Sequence, residues 1–271
     1  GGTLFLRCDP ALSDMADTPA LSVDIRELRT EPSIQQLLTR NIEGHPREIS
    51  PFLTRLGSTR STGDITLRGR SLRMGIRTES DCGTLSAEAT LRDMQEVEAT
   101  LSAENLRIGH LLDMGGEGRA TTASFEADIA GTIPSADRQA RLSATGLLKS
   151  LLHNGYEHRD IPFTLHADAG AFEGELAVEE PAGQASLHLL TAEQQGKRSL
   201  QCQVQVRDFD PHGMNLTKRY AGERFSGRLE ADLDDISREH PSGEVRLTGF
   251  QLASACPKGA CSTAPSAMPR D

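Results

Sequence analysis

The sequence predicts an all-β protein of roughly fourteen antiparallel strands with a few short helices. Two observations carry that prediction. Apolar residues alternate with polar ones at a period of two along most of the chain, and clusters of Gly, Pro, Asp and Ser punctuate the alternating runs. Alternation at period two gives a strand one apolar and one polar face, the pattern of half-buried antiparallel sheet.

The strands can be read off in order. In ALSVDIREL the apolar positions are Leu21, Val23 and Ile25, and in GTLSAEATL they are Leu85, Ala87, Ala89 and Leu91. The same beat returns at Val97, Ala99, Leu101 and Ala103, at Phe125, Ala127 and Ile129, at Leu200, Cys202, Val204 and Val206, and at Leu229, Ala231 and Leu233. Turn signals stand between them: STGD before Ile65, LRGRS at 67–71, DCG at 81–83, DAGAF at 168–172 and EPAGQ at 180–184. Three stretches break the beat with helical spacing. These are PSIQQLLTR from Pro32, LRIGHLLDM from Leu106 and FDPHGMNLTKRY from Phe209.

Those three breaks are related. LSVDIRELR (21–29), LSAENLRIGHLL (101–112) and VQVRDFDPHGMNL (204–216) align as an alternating strand, then Glu, Asn or Asp, then Leu or Phe, then a short helix. A second repeat, FEADIAG at 125, FEGELAV at 172 and FSGRLEA at 225, recurs after 47 and 53 residues. It sets a Phe two residues before a small residue, where an aromatic ring can lie over a glycine. Recurrence on this scale points to stacked β units that share one apolar face.

Composition narrows the function. The 271 residues carry a net charge of −10, with acids spread between apolar positions, so the clustered basic surface that nucleic acid requires is missing. Apolar residues make up 37%, aromatics only 4%, and Trp is absent, so the core is thin and made mostly of Leu, Ala, Val and Ile rather than large rings. No apolar run reaches the ~18 residues that a spanning helix needs. The five cysteines are scattered. Only CPKGAC near the end is closely spaced, and it reads as a local disulfide or a loose tail, because a zinc site would need a second pair of ligands.

Catalytic signatures are weak. His166 and Asp168 share a strand face at a chelating spacing, with Thr164 beside them, yet they are also the polar half of a strand whose other half is Ile161, Phe163, Leu165 and Ala167. His153 and His158 have no carboxylate partner visible in the sequence. No GxSxG, HExxH, GxxxxGK[ST] or GxGxxG occurs, and DMGGEG at 113–118 lacks the Lys of a phosphate cradle. The expectation is a chain without catalytic, metal or cofactor sites.

Between His153 and Asp235 the chain resembles the TamB-like proteins of the AsmA superfamily, in their Bacteroidetes form. The resemblance rests on Gly155-Tyr156, Asp160-Ile161, Phe172 to Leu176, Glu179 to Pro181, Asp208 to Thr217 and Arg224 to Gly227. PFLTRLGSTRSTGDITLRGR and ATLSAENLRIGHLLDMGG upstream also fit, so it covers about residues 20–252. It implies an elongated, folded-over sheet, a half-pipe with an apolar concave face, in the periplasm between inner and outer membranes. It further implies phospholipid acyl chains as cargo, or a role in outer-membrane protein assembly.

In that reading residues 1–252 are a repetitive β fragment of a longer protein, and 253–271 form a low-complexity, disordered tail. An inner-membrane anchor would precede the fragment, and a C-terminal part contacting an outer-membrane assembly protein would follow it. The expected groove lining is Phe163, Leu165, Leu176, Val178, Leu187, Val204 and Val206. The other reading of the same alternation is a soluble β-sandwich or solenoid that recognises protein or glycan at the cell surface.

Overall fold

A computed structural model describes residues 2–8, 20–31, 54–133, 140–194, 197–236 and 242–254. Fourteen strands form one open antiparallel sheet in sequence order, each bonded only to its sequence neighbours. They are β1 (Gly2–Cys8), β2 (Ala20–Thr30), β3 (Thr59–Arg68), β4 (Ser71–Ser80), β5 (Gly83–Arg92), β6 (Glu96–Leu106) and β7 (Thr122–Thr132). β8 (Arg141–His153), β9 (Tyr156–Asp168), β10 (Ala171–Glu180), β11 (Gly183–Gln194), β12 (Lys197–Phe209), β13 (Glu223–Asp235) and β14 (Ser242–Ser254) complete it. The all-β expectation holds, and the sandwich form of the alternative does not: among the described residues no second sheet faces the first.

The register keeps the alternating pattern in phase across the molecule. Val23 lies opposite Ile65, and the row continues through Met74, Ala89, Ala99, Ile129, Ala144, Leu165, Gly174, Leu189, Cys202, Ala231 and Val245. Thirteen consecutive strands thus place no polar side chain larger than a thiol in that row. A slip of one residue anywhere would turn a strand's apolar set to the polar side, so the pattern itself specifies the register.

The predicted turns at 69–70, 81–82, 169–170 and 181–182 are turns. STGD is not. It lies inside β3, where Gly63 sits between Ile25 and Ile76 on the apolar face. A side chain at Gly63 would run into the backbone carbonyl of Gly75 on β4, so this glycine serves close strand approach, not a reversal.

Helix is scarce. LRIGHLLDM yields α1 (Ile108–Leu111), a single turn followed by a 3-10 turn over Gly116–Ala120. Arg55 fastens its end by donating to the Leu111 carbonyl at 3.0 Å and to Asp113 at 3.0 Å. The predicted helix at Phe209 to Tyr220 is instead a series of turns, held by Met214 N–H to Asp210 O and Leu216 N–H to Pro211 O. Pro211 and Gly213 interrupt any regular ladder there. PSIQQLLTR from Pro32 and the tail from residue 255 onward, including Cys256 and Cys261, lie outside the described residues.

Even-numbered strands end, and odd-numbered ones begin, along one rim of the sheet, and the longer connections gather there. Leu111 and Leu106 pack with Leu56, Cys82 and Ala103 into the principal buried cluster, against Leu85, Ile108 and Phe125. Met214 is buried in the β12–β13 connection on the same rim.

The first sequence repeat has a structural basis on this rim. Each of its three sites is a β-bulge with one extra residue, at Ile25–Leu28 against Gly63–Ser61, Ala103–Leu106 against Phe125–Ala123, and Val206–Phe209 against Gly227–Phe225. Two of them match atom for atom. Asn105 (φ 51) donates its N–H to Ser124 Oγ at 2.9 Å, and Asp208 (φ 49) donates its N–H to Ser226 Oγ at 3.0 Å. Two residues on, Arg107 N–H bonds Cys82 O at 2.7 Å and Asp210 N–H bonds Ala182 O at 2.8 Å.

Candidate functional site

All seven predicted lining residues project from the same face of the sheet. Phe163, Leu176, Leu187 and Val204 form one row that continues to Leu229 and Leu247. Val178, Ala185 and Val206 form the next row toward the rim, and Leu165 stands in the row traced above. The Phe163 ring lies over Gly146 on β8, where a Cβ would collide with it, and Phe172 packs beside Gly174 as the second repeat anticipates.

This face is an uninterrupted apolar strip. At ~4.8 Å per step its twelve steps across thirteen strands extend about 60 Å, four times the length of one leaflet's hydrocarbon, ~15 Å. Its rows are half-buried. Toward β14 they become frankly exposed, with Val245 at 62% and Leu247 at 59%. Contiguous exposed apolar surface of this extent marks a site of interaction in a soluble protein.

The opposite face is wet and charged. A depression of about 900 Å³ over β3–β8 is edged by Asp64, Arg73, Glu88, Glu98, Thr100 and Asp128. A smaller one of about 430 Å³ over β9–β13 is edged by Thr164, Glu175, Ser186, His188, Gln203 and Arg228. Ion pairs cross between strands, among them Arg141 with Asp168 at 3.0 Å and Arg92 with Glu98 at 2.9 Å. His166 and Asp168 therefore stand on the polar face but do not converge, since Asp168 is held by Arg141.

A different set does converge. Glu175 and His188 are directly opposite across the β10–β11 hairpin, and Glu173 lies two residues along on the same face. His188 Nε2 is 2.9 Å from Glu173 and 3.8 Å from Glu175, and the three donor atoms lie within 4.8 Å of one another. Glu175 is exposed, and Glu173 and His188 are half-buried. An acid pair spaced i, i+2 opposite a His across a tight turn is the signal for this cluster in the sequence.

His158 departs most from the sequence reading. Its partner is Glu180, 22 residues away, with Nδ1 at 3.0 and 3.1 Å from the two carboxylate oxygens and both side chains nearly buried, 12% and 9% exposed. Tyr156 donates its hydroxyl to Glu180 Oε2 at 3.0 Å and the Arg159 N–H donates to Oε1 at 3.2 Å. The rings of Tyr156 and His158 meet edge to face, 4.7 Å between centroids. Burial, reinforced by the bond to Glu180, pushes the Tyr156 phenol above its ordinary pKa.

The cause is backbone, not composition. Asp160 takes φ 54, Arg159 and Asp160 are exposed in succession, and the alternation changes phase at that point. His158 consequently lies opposite Leu151, which lies opposite buried Ala123, on the apolar side. The β9–β10 ladder reaches only Leu176 opposite Phe163. Beyond it the Glu180 carboxylate spans the gap between the strands and satisfies the Arg159 N–H.

Comparison with protein-family models, curated proteins and solved structures finds no match to this chain.

Proposed function

We propose that the chain is a non-enzymatic, TamB-like segment of the bacterial cell envelope whose apolar strip carries phospholipid acyl chains, or supports outer-membrane protein assembly, in the periplasm. One observation supports this reading above the others: apolar rows run in register over thirteen strands, and no second sheet covers them among the described residues. An acyl chain needs a smooth, continuous hydrocarbon surface. Leu, Ala and Val at successive positions, with glycines beneath the rings of Phe163 and Phe172, provide one.

Burying a chain against such a strip yields about 25 cal/mol per Å² of apolar area removed from water, and it requires no polar partner on the strip. The TamB resemblance adds direction to the surface argument, since it supplies two membranes between which such a strip would run.

The test is photo-crosslinking in cells expressing the protein. A benzophenone amino acid at Leu165 or Val204 is expected to give phospholipid adducts. The same group at Thr164 or Gln203, on the polar face of the same strands, is expected to give none. Absence of lipid adducts at both apolar positions, with the protein folded and abundant, contradicts the proposal.

A further inference from the structure

The rim carries a recessed surface of its own. A crevice of about 850 Å³ opens between Ala120, the β8–β9 turn and the β12–β13 connection. Its polar wall is made by Asn154, His212, Asn215, Thr217, Lys218 and Arg219, and among the described residues no carboxylate lines it. In a chain of net charge −10 that is a marked local inversion. Arg92, Arg141, Arg198 and Lys149 all pair with acids, whereas the side chains of Lys218 and Arg219 make no ion pair among the described residues.

The wall also holds an amide whose oxygen lacks a partner. Asn154 Oδ1 is buried and has no hydrogen-bond partner, and its Nδ2 reaches Asn215 O only at 3.4 Å. Asn215 Nδ2 donates to Asn154 O at 3.1 Å, so the two asparagines tie the β8–β9 turn to the β12–β13 connection. A buried amide oxygen without a donor is costly and calls for a hydroxyl or N–H partner.

We propose that this crevice binds a phosphoryl anion carried on a small polyol, the chemistry shared by a glycerophospholipid headgroup and free glycerol phosphate. Lys218 and Arg219 neutralise the phosphoryl oxygens, and Arg219 has the planar fork that suits two of them. The Asn154 amide and the Thr217 hydroxyl take the polyol. Placed on the rim that borders the acyl strip, with Leu216 at 45% exposure on the crevice wall, the site would hold a headgroup while its chains lie on the sheet. That last step rests on the strip reading; the anion site does not.

Calorimetry on the full chain tests it, with glycerol 3-phosphate, inorganic phosphate and dihexanoyl phosphatidylglycerol below its micelle concentration as separate probes. Glycerol 3-phosphate is expected to bind saturably, more tightly than inorganic phosphate, and to lose at least about tenfold in affinity in K218Q/R219Q and in N154D. The double variant R68Q/R73Q, which removes the same charge from the polar face, is expected to leave binding unchanged. No saturable binding of glycerol 3-phosphate, or equal losses in both double variants, overturns the proposal. Lipid binding that survives K218Q/R219Q assigns the headgroup elsewhere and also overturns it.

The two readings fail separately. Lipid crosslinks at Leu165 and Val204 without glycerol 3-phosphate binding remove the crevice and keep the strip. Binding without crosslinks does the reverse.

Discussion

At the scale of single residues, Tyr156 shows how a polar group is tolerated at the margin of an apolar face. Its hydroxyl, the His158 ring and the Arg159 N–H share one carboxylate, so the buried oxygens of Glu180 are satisfied and no charge is left bare. Because the folded phenol titrates above its unfolded value, its contribution to stability is fully present below pH ~10, the unfolded pKa, and is lost as the pH rises through the folded pKa. Tyr156→Phe keeps the ring contact and removes the hydrogen bond. It is expected to cost about 0.5–1.5 kcal/mol at neutral pH. It is also expected to flatten the alkaline fall in stability relative to the native protein, measured by urea unfolding at a series of pH values. An identical alkaline slope in both would show that the phenol is unperturbed.

The same residues mark how far the site could be read in advance. Phe163, Leu165 and Val204 were legible because alternation alone decides their face. His158 was not, because one left-handed residue, Asp160, reverses the phase of β9, and no period-two count detects a change of φ. Glu180 was invisible as its partner for a second reason. The pair forms only where the β9–β10 ladder stops, and that depends on how two strands diverge rather than on either sequence. The Glu173–Glu175–His188 cluster was within reach, since a tight turn at Pro181-Ala182 fixes which residues face each other.

At the scale of elements, the bulges are the repeating device. Each shortens the pairing at the end of an even strand and turns the chain into a rim connection. In two of them a left-handed Asn or Asp hands its N–H to a serine on the next strand. Asn and Asp adopt φ near +50° at modest cost, whereas a β-branched residue does not. Asn105→Val and Asp208→Val are each expected to destabilise by about 1–2 kcal/mol, while Asn105→Gly changes stability by only a few tenths, read from urea midpoints at constant m-value. A Val tolerated as well as Gly would show that the bulge conformation is not required.

The helices were the least legible elements. Their apolar spacing was read as helix in three places. Of the two that fall among the described residues, Ile108–Leu111 forms one, because Arg55 and the Cys82–Leu111 cluster supply tertiary support that four residues cannot provide for themselves. Phe209 to Tyr220 has comparable spacing, but Pro211 and Gly213 divide it into turns.

At the scale of the whole molecule, the sheet is a ladder in which each strand depends on its two neighbours. Such a ladder has no central core. Among the described residues the buried ones are few and concentrate on the rim, at Leu56, Cys82, Leu106, Leu111 and Met214, while the long apolar face is left half-covered. Among the described residues no second layer buries that face, and exposed apolar surface of this kind is rare where stability alone is at stake.

Availability of the face is the central claim, and an environment-sensitive fluorophore tests it directly. The dye is attached through single cysteines at Leu187 and Val204 on the strip and at Ser186 and Gln203 on the polar face, in a chain whose native cysteines are replaced. The emission at Leu187 and Val204 is expected to be that of a solvated dye and to shift to the blue, saturably, as phosphatidylglycerol is added, with Ser186 and Gln203 unchanged. Emission already blue at Leu187 and Val204 and insensitive to lipid would mean that the face is a closed core, and would contradict the account.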